Sequence, residues 1–173
     1  SGLCVYQPYR RNFKKINFKK PGEESFPITS FFQDSHGLIW MSVPGDNLYV
    51  LDTVKNSFTV YTSVWPEFPN KILSIVEDKY NGYYWLNTEN GLAVYDTKKR
   101  EYYHQNNNPG GLQCFFSSAI FSRPDFIYKD NNDILWIHKK INGAGSVINR
   151  FDIRNNELIT VQNKGNAFGS FFT

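Results

Sequence analysis

The 173-residue sequence predicts an all-β fold built from repeated four-stranded antiparallel sheets. Three observations support this prediction. Short runs of β-branched and aromatic residues recur between Gly, Asn and Asp, as strands joined by tight turns require. Aromatic residues make up 17% of the chain, which supplies apolar area for a substantial core. No stretch shows the sustained apolar spacing of an amphipathic helix.

The strand pattern repeats with a period near 45 residues. Three units cover residues 27–61, 71–103 and 124–161, and their tryptophans lie 45 and then 51 residues apart, with the excess in loops. One such sheet cannot bury both of its faces, so the copies must stack. Four-stranded units at this period are typical of β-propeller blades.

Recurring residues within each unit have structural explanations. An Asp ends each first strand, where its carboxylate can bond the turn that follows. A turn Gly supplies positive φ, and Asn132-Asp133 take this place in the third copy. The Trp after the turn is expected to pack between neighbouring sheets. The structural repeat positions are Asp34, Trp40, Asp78, Gly82, Trp85, Gly91, Asp130 and Trp136.

The two ends of the sequence resemble parts of blades. Residues 1–16 match a third and a fourth strand, because Gly2–Tyr6 resembles Gly91–Tyr95. Residues 166–173 match the first strand of a further blade, because Phe168-Gly-Ser-Phe-Phe172 resembles Ile28-Thr-Ser-Phe-Phe32. We therefore expect three full blades plus a partial terminal blade.

The length indicates a single β-propeller fragment spanning residues 1–173. A seven-bladed ring at this period needs ~315 residues, so the chain is expected to be part of a larger propeller. In the alternative arrangement, the strand near Phe171 joins the N-terminal pair and closes a four-bladed ring. An open ring would expose strand edges that favour a homodimer.

The stretch from Ile72 to Asp96 resembles the two-component regulator propeller repeat. It reads Ile-x-x-Ile-x-x-Asp, Gly, x-x-Trp and Gly-Leu-x-x-Tyr-Asp. Tryptophan-aspartate propellers would carry Trp-Asp pairs, whereas the three repeat tryptophans are followed by Met, Leu and Ile. The outer copies depart from the pattern, with Asn47 and Val147 in the place of Gly91 and Asp133 in the place of the turn glycine.

This resemblance implies a sensor. Such repeats occur in the periplasmic region of Bacteroides-type hybrid histidine kinases, which are anchored in the inner membrane. The resemblance implies that this module binds a carbohydrate-type signal and relays it to kinase, receiver and DNA-binding modules beyond Thr173. This fragment would then be no enzyme, need no cofactor and bind no nucleic acid itself. No apolar run in it approaches the ~20 residues of a membrane helix.

Ligands of propellers usually lie over the channel, at the end where fourth-to-first and second-to-third connections meet. Trp65 is the first candidate because it lies outside the repeat, in a Pro-flanked loop where its ring could stack on a sugar. Packing of this Trp against its own blade is the structural alternative. Basic partners would suit an acidic oligosaccharide. The candidate ligand-binding residues are Trp65, Glu67, Asn90, Arg123, Lys139 and Lys140.

The long connection from His104 to Arg123 belongs to the same predicted end. It contains Asn106-Asn-Asn-Pro-Gly-Gly111 followed by Phe115-Phe116, a turn and then apolar residues. Two interpretations stay open: a lid over the ligand, or an insertion that covers an open edge.

Composition and spacing argue against several other sites. The net charge is +3, and the densest basic stretch, Arg10–Lys20, is explained by a solvated strand rather than by nucleic-acid binding. Cys4 and Cys114 lack metal-ligand spacing, and free thiols and a disulfide both stay open. His36, His104 and His138 show no spacing for a metal site or a catalytic triad.

Two alternative functions remain. A polysaccharide-cleaving propeller enzyme would need two carboxylates about 5 to 10 Å apart at the channel mouth. Glu23, Glu24 and Asp125 are isolated loop acids that support it weakly. A protein-interaction scaffold would instead expose a large apolar patch without a sugar-sized pocket.

Overall fold

The computed structural model describes residues 3–16, 27–43, 48–55, 57–61, 71–116, 123–141 and 145–161. Within these ranges the chain forms strands and one short 3-10 turn, Gln113–Phe116. In chain order the strands are β1 (Leu3–Gln7), β2 (Asn12–Ile16), β3 (Ser30–Gln33), β4 (Ile39–Ser42), β5 (Leu48–Asp52), β6 (Ser57–Tyr61), β7 (Ile72–Asp78), β8 (Tyr83–Thr88), β9 (Gly91–Asp96), β10 (Glu101–Tyr103), β11 (Phe126–Lys129), β12 (Ile134–Ile141), β13 (Gly145–Asp152) and β14 (Glu157–Val161). The same ranges contain no helix with the length and hydropathy needed to cross a bilayer.

The strands form one hairpin and three meanders. Strands β1 and β2 pair with each other. Blade 1 consists of β3–β6, blade 2 of β7–β10 and blade 3 of β11–β14, each a four-stranded sheet in sequential order. Neighbouring strands pair antiparallel throughout blades 1 and 3, and the same holds for β8 with β9 and for β9 with β10 in blade 2. The predicted all-β fold of four-stranded blades is confirmed.

The chain divides into two compact units, Ser1–Ile72 and Leu73–Thr173. The first contains the β1–β2 hairpin and blade 1, and its core includes Met41, Tyr49 and Leu51, against which Leu3 packs. The second contains blade 3 and, from Leu73 onward, blade 2.

The core of the second unit lies between blades 2 and 3. Blade 2 contributes Trp85 and Val94, and blade 3 contributes Leu135 and Phe151, all of them fully buried. The ring of Trp85 meets that of Phe151 edge-on, with the centroids 5.5 Å apart. Because these side chains alternate along their strands with residues of the other face, the period-2 pattern places them on the buried side of each sheet.

The repeated aspartates hold the turns. At the end of β3, Asp34 Oδ1 accepts the backbone N–H groups of His36 and Leu38, both at 2.9 Å. In blade 3 the Asp130 carboxylate accepts N–H groups at the same offsets, those of Asn132 and Ile134, at 2.8 and 3.0 Å. The turn N–H groups are thereby satisfied where the ladder of strand hydrogen bonds ends.

A second aspartate performs the same task at the end of each third strand. Oδ1 of Asp52, Asp96 and Asp152 accepts the N–H groups of the residues two and three positions later, at 2.9 to 3.1 Å. These hydrogen bonds are among the causes that lower the pKa of Asp52 and of Asp152, although burial opposes the shift.

The repeat tryptophans use their indole groups in two ways. Trp40 Nε1 donates to Asp34 Oδ2 at 2.8 Å, and Trp136 Nε1 donates to Asp130 Oδ2 at 3.0 Å. In both pairs the two residues are six positions apart. Trp85 follows Asp78 by seven, and its buried Nε1 has no hydrogen-bond partner within the described ranges. Packing between sheets, predicted for all three, is observed for Trp85.

Positive φ occurs at the predicted turn position in each blade. Gly37 has φ 80°, Gly82 has φ 77°, and Asp133 has φ 60° where the third copy lacks the glycine. Asp133 is held there by ion pairs with Lys129 at 2.9 Å and Arg154 at 2.6 Å. The degenerate third copy therefore keeps the backbone shape of the turn by anchoring the side chain.

Candidate functional site

The six predicted ligand-binding residues fall into two groups. Trp65 and Glu67 lie outside the described residues. The other four lie in the second unit. Asn90 lies in blade 2 between the second and third strands, and Lys139 and Lys140 lie near the end of the second strand of blade 3. Arg123 precedes β11, the first strand of blade 3.

Asn90 occupies the tight turn between β8 and β9 and is exposed. Its N–H donates to Thr88 Oγ1 at 3.2 Å, and the Thr88 hydroxyl donates to the carbonyl of Gly91 at 2.7 Å. Gly91 has φ 122°, a conformation that residues with a side chain rarely adopt, so glycine suits this position. These bonds hold the turn, so the Asn90 side chain projects from a rigid position.

Three basic residues and one acid cluster at the corresponding end of blade 3. We name this set, Arg123, Asp125, Lys139 and Lys140, the basic end. The Asp125 N–H donates to the carbonyl of His138 at 3.0 Å, and the Lys140 N–H donates to Asp125 Oδ2. The segment before β11 is thereby fastened to the end of β12, which brings Arg123 to the same end as the two lysines.

The basic end favours anionic ligands. Arg123, Asp125 and Lys140 are exposed and Lys139 is half-buried. Three positive groups outweigh the one carboxylate, and that carboxylate is already engaged by the Lys140 backbone. Exposed cations at a strand end can bind a carboxylate or sulfate group without first breaking a buried ion pair.

The geometry gives no metal centre in the part of the chain described here, where no group of three or more His, Cys, Asp or Glu side chains could hold an ion. The described repeat aspartates accept hydrogen bonds in turns. The two cysteines are free, with Cys4 exposed and Cys114 buried. Burial raises the pKa of the Cys114 thiol, so it is not a reactive nucleophile.

The connection between β10 and β11 was predicted to lie at the ligand end of the blades. For residues 111–116 this prediction is wrong. Gln113 N–H donates to Asn156 Oδ1 at 2.9 Å, and Asn156 Nδ2 donates to the carbonyl of Gly111 at 3.0 Å. Asn156 lies in the turn between β13 and β14, at the end of blade 3 opposite the basic end. This stretch therefore does not gather at the predicted ligand end.

The same stretch contributes to the core instead of acting as a lid. Cys114 and Phe115 are fully buried between blades 2 and 3, and the ring centroid of Phe115 lies 6.4 Å from that of Trp85. Residues 111–116 thus complete the core between blades 2 and 3. Neither predicted interpretation, a lid or an insertion over an open edge, describes residues 111–116, which contribute to the core between the two blades.

Packing of residues 111–116 creates a groove that sequence reasoning missed. The only sequence signal for it was the adjacent pair Phe115-Phe116, whose second ring is exposed. The groove lies beside the turn of β13 and β14 and is lined by Gln113, Phe116, Asn155, Asn156, Glu157 and Leu158.

Comparison with known proteins identifies the fold. Neither a family model nor a curated protein sequence matches the chain. Among solved structures, it is similar to the extracellular domain of a protein described as a hybrid two-component system from B. thetaiotaomicron, with a TM-score of 0.67 and 19% identity over 91% of this chain. It is similar also to the extracellular domain of a protein described as a one-component system from the same organism, with a TM-score of 0.62 and 16% identity over 94% of this chain.

A third similar structure is an enzyme. Virginiamycin B lyase from Staphylococcus aureus matches with a TM-score of 0.59 and 15% identity over 90% of this chain, and the match covers 46% of the lyase. The chain spans 20% of each of the two bacterial extracellular domains. These likenesses confirm the propeller fold and the structural resemblance to extracellular domains of such systems. Because a lyase shares the fold, the fold alone does not assign an activity.

Proposed function

We propose that the chain is a sensor module without catalytic activity, from the periplasmic part of a hybrid two-component histidine kinase anchored in the inner membrane. The observation that carries this proposal is the match of about nine-tenths of the chain to extracellular domains of such signalling proteins. The chain would supply part of a larger propeller, and its signal would pass to kinase and transcriptional output elsewhere in the protein.

The exposed side of blade 3 supports a larger propeller. Tyr128, Trp136, Arg150 and Ile159 are directly paired across the four strands and therefore share one face. Tyr128 is 53% exposed on this face, whereas Trp85 and the Val94 paired with it are fully buried in blade 2. A further blade would cover the exposed side of blade 3, as blade 3 covers Trp85.

The ligand proposed for the predicted site is an acidic oligosaccharide held at the basic end. Lys139, Lys140 and Arg123 would bind its acidic groups, and Asn90 would bond hydroxyl groups. Trp65 is proposed to stack on a sugar ring, with Glu67 as a polar partner. Binding would shift an equilibrium between two packings of a homodimer, which requires that the ligand prefer one packing.

A titration with tri-galacturonate tests this function. We expect saturable binding by calorimetry, at least tenfold weaker after the double substitution Lys139→Ala with Lys140→Ala. A pair of exposed lysines on β2 gives the matched control, Lys14→Ala with Lys15→Ala, which should leave the affinity unchanged. Raising the salt concentration should weaken binding because exposed charges are screened.

The opposite results would exclude the proposal. Equal losses in the two double variants would show a diffuse charge effect instead of a site. Failure of acidic and neutral oligosaccharides alike to bind or stabilise the chain would remove saccharide sensing altogether.

A polysaccharide-cleaving propeller enzyme is the second candidate, and virginiamycin B lyase shows only that an enzyme can have a similar fold. Glu89 and Asp125 are acids placed at the corresponding ends of blades 2 and 3. Incubation of the chain with polygalacturonate should release no new reducing ends if the sensor proposal is right. Release that is abolished by Asp125→Asn would instead favour the enzyme.

A further inference from the structure

We propose that the groove beside the 3-10 turn binds a neutral oligosaccharide, at a site separate from the basic end. This inference rests on the proposed function as a saccharide sensor. The groove has a volume of about 630 Å³, which lies within the range of about 300–1,000 Å³ typical of small-ligand sites. It is open to solvent, as a site for an extended chain of sugars must be.

An exposed aromatic ring forms the apolar part of the groove. Phe116 is 66% exposed, although its neighbour Phe115 is 2% exposed and packed in the core. The buried neighbour fixes the 3-10 turn, because the Phe115 N–H donates to the carbonyl of Leu112 at 3.0 Å. The backbone that carries the exposed ring is therefore ordered before a ligand arrives, which lowers the entropic cost of binding.

The base of the turn is held as firmly. Asn108 Oδ1 accepts the Leu112 N–H at 2.9 Å, and Asn108 Nδ2 donates to the Leu112 carbonyl at 3.1 Å. Asn156 connects the turn to blade 3 through its bonds with Gln113 and Gly111. The two asparagine side chains thus make four hydrogen bonds, which hold the 3-10 turn together and fix its position beside the β13–β14 turn.

The polar lining has the chemistry of a saccharide site. Gln113 brings a side-chain amide, which both donates and accepts hydrogen bonds, and Glu157 brings a carboxylate that accepts them. The Asn155 and Asn156 amides are already bonded to neighbouring groups, but an amide has two N–H donors and two acceptor lone pairs, so each keeps a donor and an acceptor for a ligand. A pyranose offers hydroxyl groups around its edge and an apolar face of C–H groups. The hydroxyl edge matches the amides and carboxylate, and the apolar face matches the Phe116 ring.

The charge of the groove selects against acidic sugars. Glu157 is exposed, and none of the six lining residues is basic. The basic end has the opposite preference. Asp152, beside the groove, and Ser146, which pairs with Lys140, are six residues apart on β13, or roughly 20 Å at the rise of a strand. The two sites are therefore distinct in position and in charge.

Titration of the full chain with maltohexaose and cellohexaose, followed by amide chemical shifts, tests the inference. With at least one of these neutral probes we expect shifts centred on residues 113–116 and 155–158. Phe116→Ser should weaken that binding about tenfold, the loss of one aromatic contact. Tyr9→Ser, which removes a fully exposed ring in the first unit, is the matched control and should leave it unchanged. The double alanine variant of Lys139 and Lys140 should also bind the neutral probe normally.

Failure of the inference can be told apart from failure of the proposed function. If neither neutral probe binds while tri-galacturonate does, or if neutral binding survives Phe116→Ser, the groove is not a saccharide site and the sensor proposal stands. If no saccharide of either class binds the unaltered chain, both proposals are overturned.

Discussion

Aspartate carboxylates determine where strands end in each of the three blades. In blades 1 and 3, Oδ1 of the aspartate that follows the first strand, Asp34 or Asp130, accepts two backbone N–H groups of the turn. Oδ2 of the same aspartate accepts the indole N–H of the repeat tryptophan. A carboxylate has two oxygens and can accept three or more hydrogen bonds at once, whereas the single hydroxyl oxygen of a serine accepts at most two and glycine has no side-chain acceptor. Recurrence of aspartate is thus explained without a catalytic role.

Replacing Asp130 with alanine should cost about 2–3 kcal/mol, because three donors lose a charged acceptor. Asp130→Asn keeps one acceptor oxygen and should cost roughly half as much. Urea unfolding followed by circular dichroism measures both losses. Asp125→Ala, which removes a carboxylate that accepts one exposed N–H, is the control and should cost below about 1 kcal/mol. Equal losses in Asp130→Ala and Asp125→Ala would contradict the account of the turn.

The Asp133 carboxylate should make stability depend on pH. Hydrogen bonds from Lys129 and Arg154 lower the pKa of Asp133 more than burial raises it. A carboxyl with a lowered folded pKa stabilises the protein above its unfolded pKa of about 3.9, and this contribution is lost as the pH falls through the folded pKa. Asp133→Asn tests this without disturbing the backbone, since asparagine also tolerates a φ of 60°.

We therefore expect Asp133→Asn to be less stable than the unaltered chain at pH 7, and the difference to be smaller at pH 3, because part of the contribution is lost below the unfolded pKa. Urea unfolding at both pH values gives the comparison. A difference that stays constant between them would show that the charge is not its source.

At the scale of elements, the 3-10 turn separates two adjacent phenylalanines by function. Phe115 lies in the core near Trp85, and Phe116 lines the groove. Phe115→Ala should cost about 3 kcal/mol, because it leaves a cavity in a close-packed interior. Phe116→Ala should change stability by less than about 0.5 kcal/mol, because its ring is exposed. Thermal and urea unfolding of this matched pair measure the difference, and similar losses would show that the turn does not anchor the core.

The strands could be predicted from the sequence because their signals are local. An Asp at a strand end, a residue that tolerates positive φ and a Trp at a set offset mark the first turn of each blade, and the registers of blades 1 and 3 follow from them. The single extra residue between Asp78 and Trp85 was visible in the sequence. Its consequence, an indole without the aspartate bond, depends on the turn geometry.

The groove and the path of residues 111–116 could not be predicted because they depend on contacts between distant residues. Asn156 accepts the Gln113 N–H across 43 positions, and neither residue belongs to the repeat pattern. Phe116 is exposed and Phe115 is buried, and the sequence could not show which of two adjacent phenylalanines would be exposed. Part of the basic end could be predicted, because Lys139 and Lys140 lie close after the repeat Trp136 on β12, near the end of that strand. The role of Asp125 in fastening Arg123 to that end emerged only from the fold.

At the scale of the whole molecule, the second of the two units has a core of its own. The second unit encloses a core in which eleven residues are buried, among them Cys114 and Phe115. The described residues that form it all lie after Leu73. A range of this length is sufficient for an independent domain.

We expect the fragment of residues 73–173 to fold alone, and Cys114 gives the measurement. It is the one cysteine in that fragment, it is fully buried, and burial raises the pKa of its thiol, so a maleimide can reach it only when the core between blades 2 and 3 opens. Labelling should therefore be slow in the fragment and fast in urea. Phe115→Ala should speed the labelling by destabilising the core around the thiol, whereas Phe116→Ala should not.

In the longer chain, Cys4 should react at once because it is exposed, and Cys114 should react at the slow rate seen in the fragment. Rapid labelling of the fragment without urea would show that blades 2 and 3 depend on the rest of the protein for their packing.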